Sequence, residues 1–306
     1  MSPTTPVRKA VVAVMAATAV LTAVAAPAVA APRPASVGHP DSARLGYQKA
    51  VAERVLKGVF ERGDTEIVDR FVRPDYIQHN PFAPDGAETL KGLATSVHAQ
   101  FPDAVYGIKR VLSEGDLVLV HSNVVLTPGD RGQAVFDIFR FQGGKIAEHW
   151  DVGQTVPESS VNGNDMFSTV SWPRTTEPGP GFLTGYNKKL VTAAFDQLLV
   201  KKDLSAIDRY WGREYHQHNP GIADGVAGVK SGLGAYFAAF PELKVEPKRI
   251  IAEGDLVAVH SHYIPAPGER GQAIVDLFRI RAGKIVEHWD VIQDVPANAA
   301  NDNGMF

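Results

Sequence analysis

Apolar residues recur at helical spacing at the start of a long patterned stretch of the chain. In YQKAVAERVLKGVFERGD, Ala50, Val51, Val55 and Val59 fall on one face of a helix. TEIVDRFV continues this spacing and predicts a shorter helix, and ETLKGLATSVHAQFPD predicts a third that ends at Pro102. The pattern therefore predicts three helices in a row.

The residues after these helices alternate between apolar and polar, as strands do. YGIKRVLSEGDLVLVHSNVVLTPG predicts a hairpin that turns at EGD, and RGQAVFDIFRFQGGKIAEHWDV predicts a second that turns at Gly143 and Gly144. Helices followed by a meander of long strands predict an α+β fold, with the helices on one face of a curved antiparallel sheet.

This whole pattern occurs twice. YIQHNP begins at Tyr76 and YHQHNP at Tyr215, 139 residues later, and the same offset joins KIAEHWD to KIVEHWD. Such self-similarity indicates a duplicated domain of about 120 residues, a size that can bury its own core. The predicted domains are residues 46–167 and 185–306, joined by an extended linker at residues 168–184 that is rich in Pro, Gly and Thr.

Composition removes several classes of function. The chain has 306 residues, a formal net charge of −3 and no concentrated run of Lys or Arg, which argues against a nucleic-acid partner. It has no cysteine, so disulfides, cysteine-bound zinc and thiolate catalysis are excluded. An apolar share of 44% is that of a soluble globular protein.

The first thirty residues have the pattern of a secretory signal. Arg8 and Lys9 precede an apolar run, and small residues at Ala28 and Ala30 predict cleavage after Ala30. We therefore expect a signal peptide at residues 1–30, a flexible segment at 31–45, and a secreted protein with no stable membrane association after cleavage. An uncleaved membrane anchor is the alternative, because the run is near the lower length for spanning a bilayer.

Polar residues of the strands can converge on one hollow. Because side chains alternate along a strand, His149 and Asp151 share a face, as do Val135, Asp137 and Phe139. A mostly apolar hollow with a few convergent polar groups is typical of small-molecule sites. The candidate residues are Gln78, His79, Asn80, His121, Asp137, His149 and Asp151 in the first copy, and Gln217, His218, Asn219, His260, Asp276, His288 and Asp290 in the second.

Other roles remain open for these residues. The polar groups could satisfy one another, with Asp137 orienting His149 and Asn80 capping a turn. The repeated EGD favours turn chemistry. Trp150, Arg140 and Trp289 fall on the face away from the hollow, which favours a contact between the two copies.

Several of these motifs together resemble a known family. YIQHNP, FPD, EGDLVLVHS and DIFRFQGGKIAEHWD, with the closing NGMF-like end, are similar to the SnoaL-like branch of the nuclear transport factor 2-like superfamily. The resemblance implies a cone-shaped α+β domain with a pocket between sheet and helices. It also implies pairing through the sheet face, which the two copies could supply within one chain.

The resemblance carries an expected chemistry. Members named as polyketide cyclases close a ring by intramolecular aldol condensation, without metal or cofactor, using an aspartate on the last strand beside a histidine two residues earlier. Asp151 with His149 and Asp290 with His288 match those positions. Asp137 stands where the cyclases carry other polar groups, and a secretion signal is a second departure. The superfamily also includes epoxide hydrolases, dehydratases and isomerases, so fold alone does not decide the reaction.

Three hypotheses follow for the function. The first is a cofactor-independent acid/base enzyme acting on a small apolar carbonyl compound, in which Asp151 and Asp290 move a proton and His149 and His288 orient them or donate to an oxyanion. The second is a non-catalytic module that binds a small molecule. The third is a metal site built from His79, His121, His149 and Asp151, whose spacing matches no known metal motif. We therefore expect a small-molecule ligand and no metal or cofactor.

Overall fold

The first domain joins helices to a five-stranded sheet in a computed structural model that describes residues 40–306. Its elements are α1 (Pro40–Leu56), a π-helical turn (Lys57–Glu61), α2 (Glu66–Phe71), β1 (Val72–Gln78), α3 (Ala87–Gln100), β2 (Val105–Glu114), β3 (Leu117–Val125), β4 (Gln133–Gln142) and β5 (Lys145–Thr155). The predicted signal segment, and residues 31–39 of the predicted flexible segment, lie outside the described residues.

The second domain repeats this order. A 3-10 turn (Gly181–Leu183) precedes α4 (Thr184–Phe195), a π-helical turn (Asp196–Val200), α5 (Ala206–Tyr210), β6 (Trp211–Gln217), α6 (Gly225–Ala239), β7 (Lys244–Glu253), β8 (Leu256–Ile264), β9 (Gln272–Arg281) and β10 (Lys284–Asp294). The predicted duplication and the α+β fold are confirmed. No helix of the described part is long and apolar enough to cross a membrane.

Helix α1 begins earlier than the sequence pattern predicted. Pro40 is its first residue, a position where the missing N–H of proline costs nothing, and Asp41 places a negative charge in the first turn. The prediction of a flexible segment is therefore wrong for residues 40–45, which are helical. Ala43, Arg44 and Leu45 have high helix propensity and extend the helix before the stretch that was used to predict it.

Each sheet is mixed because it contains a strand that the pattern missed. The strand orders are β1-β5-β4-β3-β2 and β6-β10-β9-β8-β7, and β1 and β6 are the parallel edge strands. The sequence pattern predicted no strand between the second and third helices, but β1 forms there and contains Pro74. An edge strand tolerates proline because one side of its backbone needs no partner. The other four strands of each sheet are antiparallel, as predicted.

The helices cover the concave face of each sheet and close a separate apolar core in each domain. Val55, Val68 and Val97 of the helices pack with Phe139 and Ile146 of the sheet in the first domain. An equivalent set closes the second. The sheet faces that carry Val120 and Phe139 are thereby removed from water, and any polar side chain on those faces needs a partner inside the domain.

The convex faces of the two sheets lie against each other. A third apolar cluster contains Phe136 and Trp150 of the first domain with Val275 and Trp289 of the second. Hydrogen bonds across this contact come in reciprocal pairs 139 residues apart. Glu253 accepts from the backbone N–H of Ser113, and Glu114 accepts from that of Ala252 (2.7 and 2.9 Å). Such reciprocity is that of a symmetric dimer interface, and it gives the glutamate of EGD a role beyond its turn.

The linker has no helix or strand before its 3-10 turn and packs on the second domain. The backbone N–H of Val170 and the hydroxyl of the buried Ser171 donate to Glu287 (2.6 and 2.5 Å). Arg279 donates to the carbonyl of Thr175 (2.8 Å). The predicted extended conformation thus comes with specific contacts that keep Glu287 and Arg279 away from water.

Candidate functional site

Strand register places two carboxylates opposite each other on the concave face of each sheet. Asp137 of β4 pairs with Asp151 of β5, and Asp276 of β9 pairs with Asp290 of β10. His149 and His288 lie two residues before the second aspartate and so face the same way. The structure therefore brings together an Asp–His–Asp set in each domain, buried between sheet and helices.

Both ring nitrogens of each histidine are bonded to oxygen acceptors. His149 donates from Nε2 to Asp137 Oδ1 and from Nδ1 to Gln78 Oε1, each at 3.0 Å. Because Gln78 donates through its amide nitrogen to Tyr76, its oxygen faces the histidine. Two donating nitrogens describe an imidazolium. Burial opposes this charge, but the hydrogen bond to Asp137 and the nearby carboxylates outweigh it and raise the pKa of His149.

The second domain repeats this arrangement with slightly shorter distances. His288 donates to Asp276 at 2.9 Å and to Gln217 at 2.8 Å. Its pKa is also raised, since the hydrogen bond to Asp276 and the charges of both aspartates outweigh burial. In both domains the histidine acts on the second aspartate through charge, because its two N–H groups are already engaged.

The second aspartate of each set keeps one oxygen without a partner. Asn219 donates to Oδ2 of Asp290 at 2.6 Å, while Oδ1 is buried and has no hydrogen bond within the described residues. Burial raises the pKa of Asp290 to about 6, although the charge of His288 lowers it in part. Asp151 has the same bond to Asn80 and the same unpartnered Oδ1, and burial raises its pKa to about 7.

A tight loop after the edge strand holds the asparagine. Oδ1 of Asn80 accepts from the backbone N–H of Phe82 at 2.8 Å, and Gln78 Oε1 accepts from the N–H of Asn80 at 2.9 Å. The first bond is a side-chain-to-backbone turn that asparagine forms readily. The QHN motif thus works through its first and third residues, which reach His149 and Asp151.

In each domain, a tyrosine that the sequence analysis did not identify donates a hydrogen bond to the first aspartate of the set. The two tyrosines come from different strands. In the first domain it is Tyr106 of β2, at 2.5 Å from Asp137. In the second it is Tyr263 of β8, at 3.3 Å from Asp276. Tyr106 pairs with Val124 across the sheet, whereas Val245 pairs with Tyr263. The two copies have exchanged tyrosine and valine between neighbouring strands, a signal available from aligning the repeats.

The two domains differ most in free volume. The second encloses a cavity of about 300 Å³ whose wall includes Asp276, His288 and Asp290. The corresponding hollow of the first domain is about 20 Å³, and Asp151 is not part of its wall. A volume of 300 Å³ is at the lower end for ligand sites. Most of the wall is apolar, formed by residues such as Trp211 and Phe278.

Four histidines that we placed in the pocket lie on the convex face instead. His121 pairs with Phe136 and Val120 with Asp137, so His121 points away from Asp137, and His260 does so in the second domain. His79 and His218 follow the last residue of an edge strand, and they stack on Trp150 and Trp289 (4.7 and 5.0 Å). The prediction that these histidines line the pocket is therefore wrong, because a shift of one residue exchanges the faces of a strand.

These histidines join the contact between domains. Arg110 lies 3.9 Å from the ring of Trp289 and donates to Nδ1 of His121, and Arg249 lies 3.6 Å from the ring of Trp150. Burial, with the charge of Arg110, lowers the pKa of His121 well below its ordinary value, so this ring is a neutral acceptor. Trp150 and Trp289 lie at the contact between copies.

Each domain also holds the site loop of the other through its closing segment, residues 161–167 or 300–306. The side chain of Asn162 donates to the carbonyls of Asn219 and Ile222 (2.6 and 2.9 Å). Its counterpart Asn301 donates to the carbonyls of Asn80 and Ala83 (2.7 and 2.8 Å). Neither segment was predicted to cross, and each site therefore depends on the other half of the chain.

The same residues are a poor fit for a metal ion. Ligand atoms of Asp276, His288 and Asp290 lie within 4.8 Å of one another. A histidine ligand must be neutral and offer a lone pair, but both nitrogens of His288 donate protons to oxygen. The metal set considered from the sequence is wrong in its members, because His79 and His121 lie on the opposite face from His149 and Asp151.

Comparisons with solved structures give several similar chains. AclR from Streptomyces galilaeus, named as a candidate hydroxylase, is 27% identical, covering 37% of this chain and 82% of AclR, with a TM-score of 0.33. IdmH from Streptomyces antibioticus, named as a candidate polyketide cyclase, is 21% identical, covering 35% and 91%, with a TM-score of 0.31. A SnoaL-like protein of unknown function from Burkholderia thailandensis is 16% identical, covering 36% and 98%, with a TM-score of 0.32.

The family of the chain is established by a match to a family model over more than half of its length. No functionally curated protein matches the chain. The SnoaL-like domain family matches it twice, at residues 52–149 and 191–288, which together make up more than half of its length. Both matches contain the edge strand and the first three antiparallel strands, and each ends at the histidine of the last strand, two residues before Asp151 or Asp290. The chain therefore belongs to the SnoaL-like family, with one family domain in each half.

Proposed function

We propose that this protein is a cofactor-independent acid/base enzyme that moves a proton on a small, mostly apolar carbonyl compound. The observation that carries this proposal is Oδ1 of Asp290: a buried carboxylate oxygen that no residue of the described part of the chain hydrogen-bonds, in a residue on the wall of an apolar cavity. A carboxylate that burial has made more basic, with a pKa of about 6, suits proton abstraction near neutral pH.

The proton step follows from this geometry. Oδ1 of Asp290 removes a proton from the carbon next to the substrate carbonyl, and the electron pair of that C–H bond forms an enolate. In an aldol closure the enolate carbon attacks a second carbonyl of the same molecule, and a carbon–carbon bond forms. The new alkoxide then takes the proton back from Asp290, so the carboxylate is regenerated and no other reactant is consumed.

Neutral tyrosines can hold the enolate oxygen. Tyr215 and Tyr236 both line the cavity, and burial raises the pKa of each, which keeps the hydroxyl groups protonated. Tyr215 accepts a hydrogen bond from the amide of Gln217 at 3.0 Å, and this bond leaves its own proton for a ligand. Donors already in place for developing negative charge are a large source of rate enhancement.

His288 has a positioning role in this mechanism. Its imidazolium is fixed by Asp276 and Gln217, and its charge favours the ionised form of Asp290. Asn219 fixes the rotation of the carboxylate by donating to Oδ2. These two contacts replace our earlier idea that the histidine itself donates to the oxyanion.

A simple ketone tests the proton step. We expect the protein to speed exchange of the α-protons of β-tetralone in heavy water, followed by proton NMR. The double variant Asp151→Asn with Asp290→Asn keeps the shape of both sites but cannot accept the proton, and we expect a loss of about 100-fold or more. Asp294→Asn changes an exposed carboxylate of the same strand and is the matched control.

The outcomes separate enzyme from binding module. Exchange that is equally fast in the double variant would remove both aspartates from the mechanism. Binding of β-tetralone without any exchange by the native protein would favour a module that only binds.

We propose that the protein is secreted after cleavage behind Ala30, which N-terminal sequencing of protein from the culture medium would test.

We also propose that the contact between convex faces is the working arrangement in solution, because its hydrogen bonds are reciprocal and its core contains two tryptophans. Small-angle scattering that gave two separated domains would contradict it.

A further inference from the structure

We infer that the chain binds one ligand molecule, in the cavity of the second domain, and that the first domain is a closed copy whose role is to support that site. Both copies keep the Asp–His–Asp set with nearly identical hydrogen bonds. Retention of the residues therefore does not distinguish them. The difference lies in side chains at the mouth and in the interior of the hollow.

At the mouth, three large residues of the first domain have small counterparts in the second. Phe82 and Leu93 border the outer side of the first hollow, and glycine stands at both matched positions in the second domain, Gly221 and Gly232. Leu90 is likewise replaced by the smaller Val229. Both glycines line the 300 Å³ cavity, so the missing side chains contribute to its opening.

In the interior, Phe60 lines the first hollow and packs against Tyr106. Phe60 and Tyr106 lie 6.0 Å apart with nearly parallel rings, and the hydroxyl of Tyr106 is bonded to Asp137. The matched residues of the second domain are Leu199 and Val245. Tyr106 is 1% exposed, so its ring takes up space inside the fold. The tyrosine of the second domain stands on β8 as Tyr263, and both it and Leu199, the smaller counterpart of Phe60, line the open cavity.

A groove on the first domain does not reach its carboxylates. The groove has a volume of about 320 Å³ and is bordered by Phe82, Leu90 and Leu93. Leu90 also borders the inner hollow of about 20 Å³, so this side chain separates the two spaces. Neither Asp137 nor Asp151 lines the groove. A ligand there would have no contact with the acid/base residues.

The wall of the second cavity indicates an uncharged, partly aromatic ligand with a polar group at one end. Its polar members are Gln217, Asn219, Gln272 and the Asp–His–Asp set, while no lysine or arginine lines it within the described residues. Aromatic side chains such as Trp211, Tyr236 and Phe278 form much of the remainder. This inference rests on the proposed function for the identity of the site, but the number of bound molecules is independent of any reaction.

A fluorescent ketone measures that number. Prodan is a neutral naphthyl ketone whose emission shifts to the blue in an apolar site, and we would titrate it into the full chain. We expect one molecule bound per chain. Gly232→Leu, which installs the residue of the first domain, should weaken binding by about tenfold or more, since a side chain would occupy part of the cavity. Gly221→Phe tests the same mouth from the loop if Gly232→Leu does not fold.

Changes in the first domain are the matched control. Leu93→Gly and Phe82→Gly should leave the affinity of the single site unchanged. Two molecules bound per chain would overturn the inference. Binding that is weakened by Leu93→Gly but not by Gly232→Leu or Gly221→Phe would also overturn it. If Asp290 proves not to transfer a proton, the number of Prodan molecules bound per chain is unaffected. If two equal sites are found, this inference is wrong, but Asp290 can still act as a base.

Discussion

At the scale of single residues, two aspartates with the same hydrogen bonds differ in the free volume beside them. Asp151 and Asp290 each accept from an asparagine at 2.6 Å, and each keeps one oxygen without a partner among residues 40–306. Only Asp290 borders a cavity large enough for a ligand. The same carboxylate is therefore part of a closed polar network in one domain and available for chemistry in the other.

The pKa of Asp290 predicts how activity depends on pH. The base must be ionised, and burial raises its pKa to about 6. Below this pH Asp290 carries a proton and cannot accept another, so kcat/KM for β-tetralone exchange should rise through about pH 6 and level off above it. Rates measured between pH 4 and 8 on the native protein would check this. A flat profile would contradict the assignment of Asp290 as the base.

At the scale of elements, register and helix composition shape the site. The one-residue alternation of β5 and β10 places Asp and His inside and Trp outside. Helix α6 carries four glycines, each costing up to about 1 kcal/mol relative to alanine. One of them, Gly232, stands where α3 has Leu93 at the mouth of the hollow. The second domain thus gives up helix stability where it gains cavity volume.

The crossed closing segments make a prediction at this scale. Asn162 holds the carbonyls of Asn219 and Ile222, so Asn162→Ala should loosen the loop that positions Asn219 against Asp290. Loss of two hydrogen bonds, at about 1 kcal/mol each, should lower kcat for β-tetralone exchange by about 30-fold. The measurement is kcat and KM of the variant under conditions where it is fully folded.

The repeat supplies the control for this experiment. Asn301 stands at the matched position and holds the loop of the closed first domain. Asn301→Ala removes equivalent hydrogen bonds, and we expect activity to stay near that of the native protein. An equal loss of kcat in both variants would mean that the effect is a general loss of stability and not a loss of positioning.

At the scale of the whole molecule, the convex faces form a shared core with charged residues inside it. Arg110 is 1% exposed and donates to the carbonyl of Ser168, the hydroxyl of Thr169 and the ring of His121. Its counterpart Arg249 is partly exposed and donates to His260. The linker covers one side of this interface, so the internal dimer is symmetric in its glutamate-to-backbone hydrogen bonds but not in the burial or the partners of Arg110 and Arg249.

This asymmetry predicts unequal effects of matched variants on stability. Arg110→Ala leaves buried acceptors without their donor and removes a stacking contact with Trp289, and we expect a loss of about 3 kcal/mol in the free energy of unfolding. Arg249→Ala should cost about 1 kcal/mol, since water can replace its contacts. Urea midpoints at constant slope would measure both. A larger loss for Arg249→Ala would contradict the role given to the linker.

The sequence by itself determined what depends on local pattern and on repetition. Two alternating residues in EHWD were enough to place His149 with Asp151 and to separate them from Trp150. The fixed offset of 139 residues established the duplication and the equivalence of the candidate residues predicted in the two copies. Helical and strand periods are properties of short segments, so they can be read before the chain is folded.

Only the tertiary structure decided which faces of the strands meet, how large the cavity of each domain is, and which loop each closing segment contacts. His121 lies opposite Phe136 because of the register between two strands, which their own sequences do not state. The cavity of the second domain depends on how residues from four or more elements pack, and a difference of a few side chains changes it from about 20 to about 300 Å³. The crossing of Asn162 to Asn219 joins residues that only folding brings close. These are non-local contacts, and a local period carries no information about them.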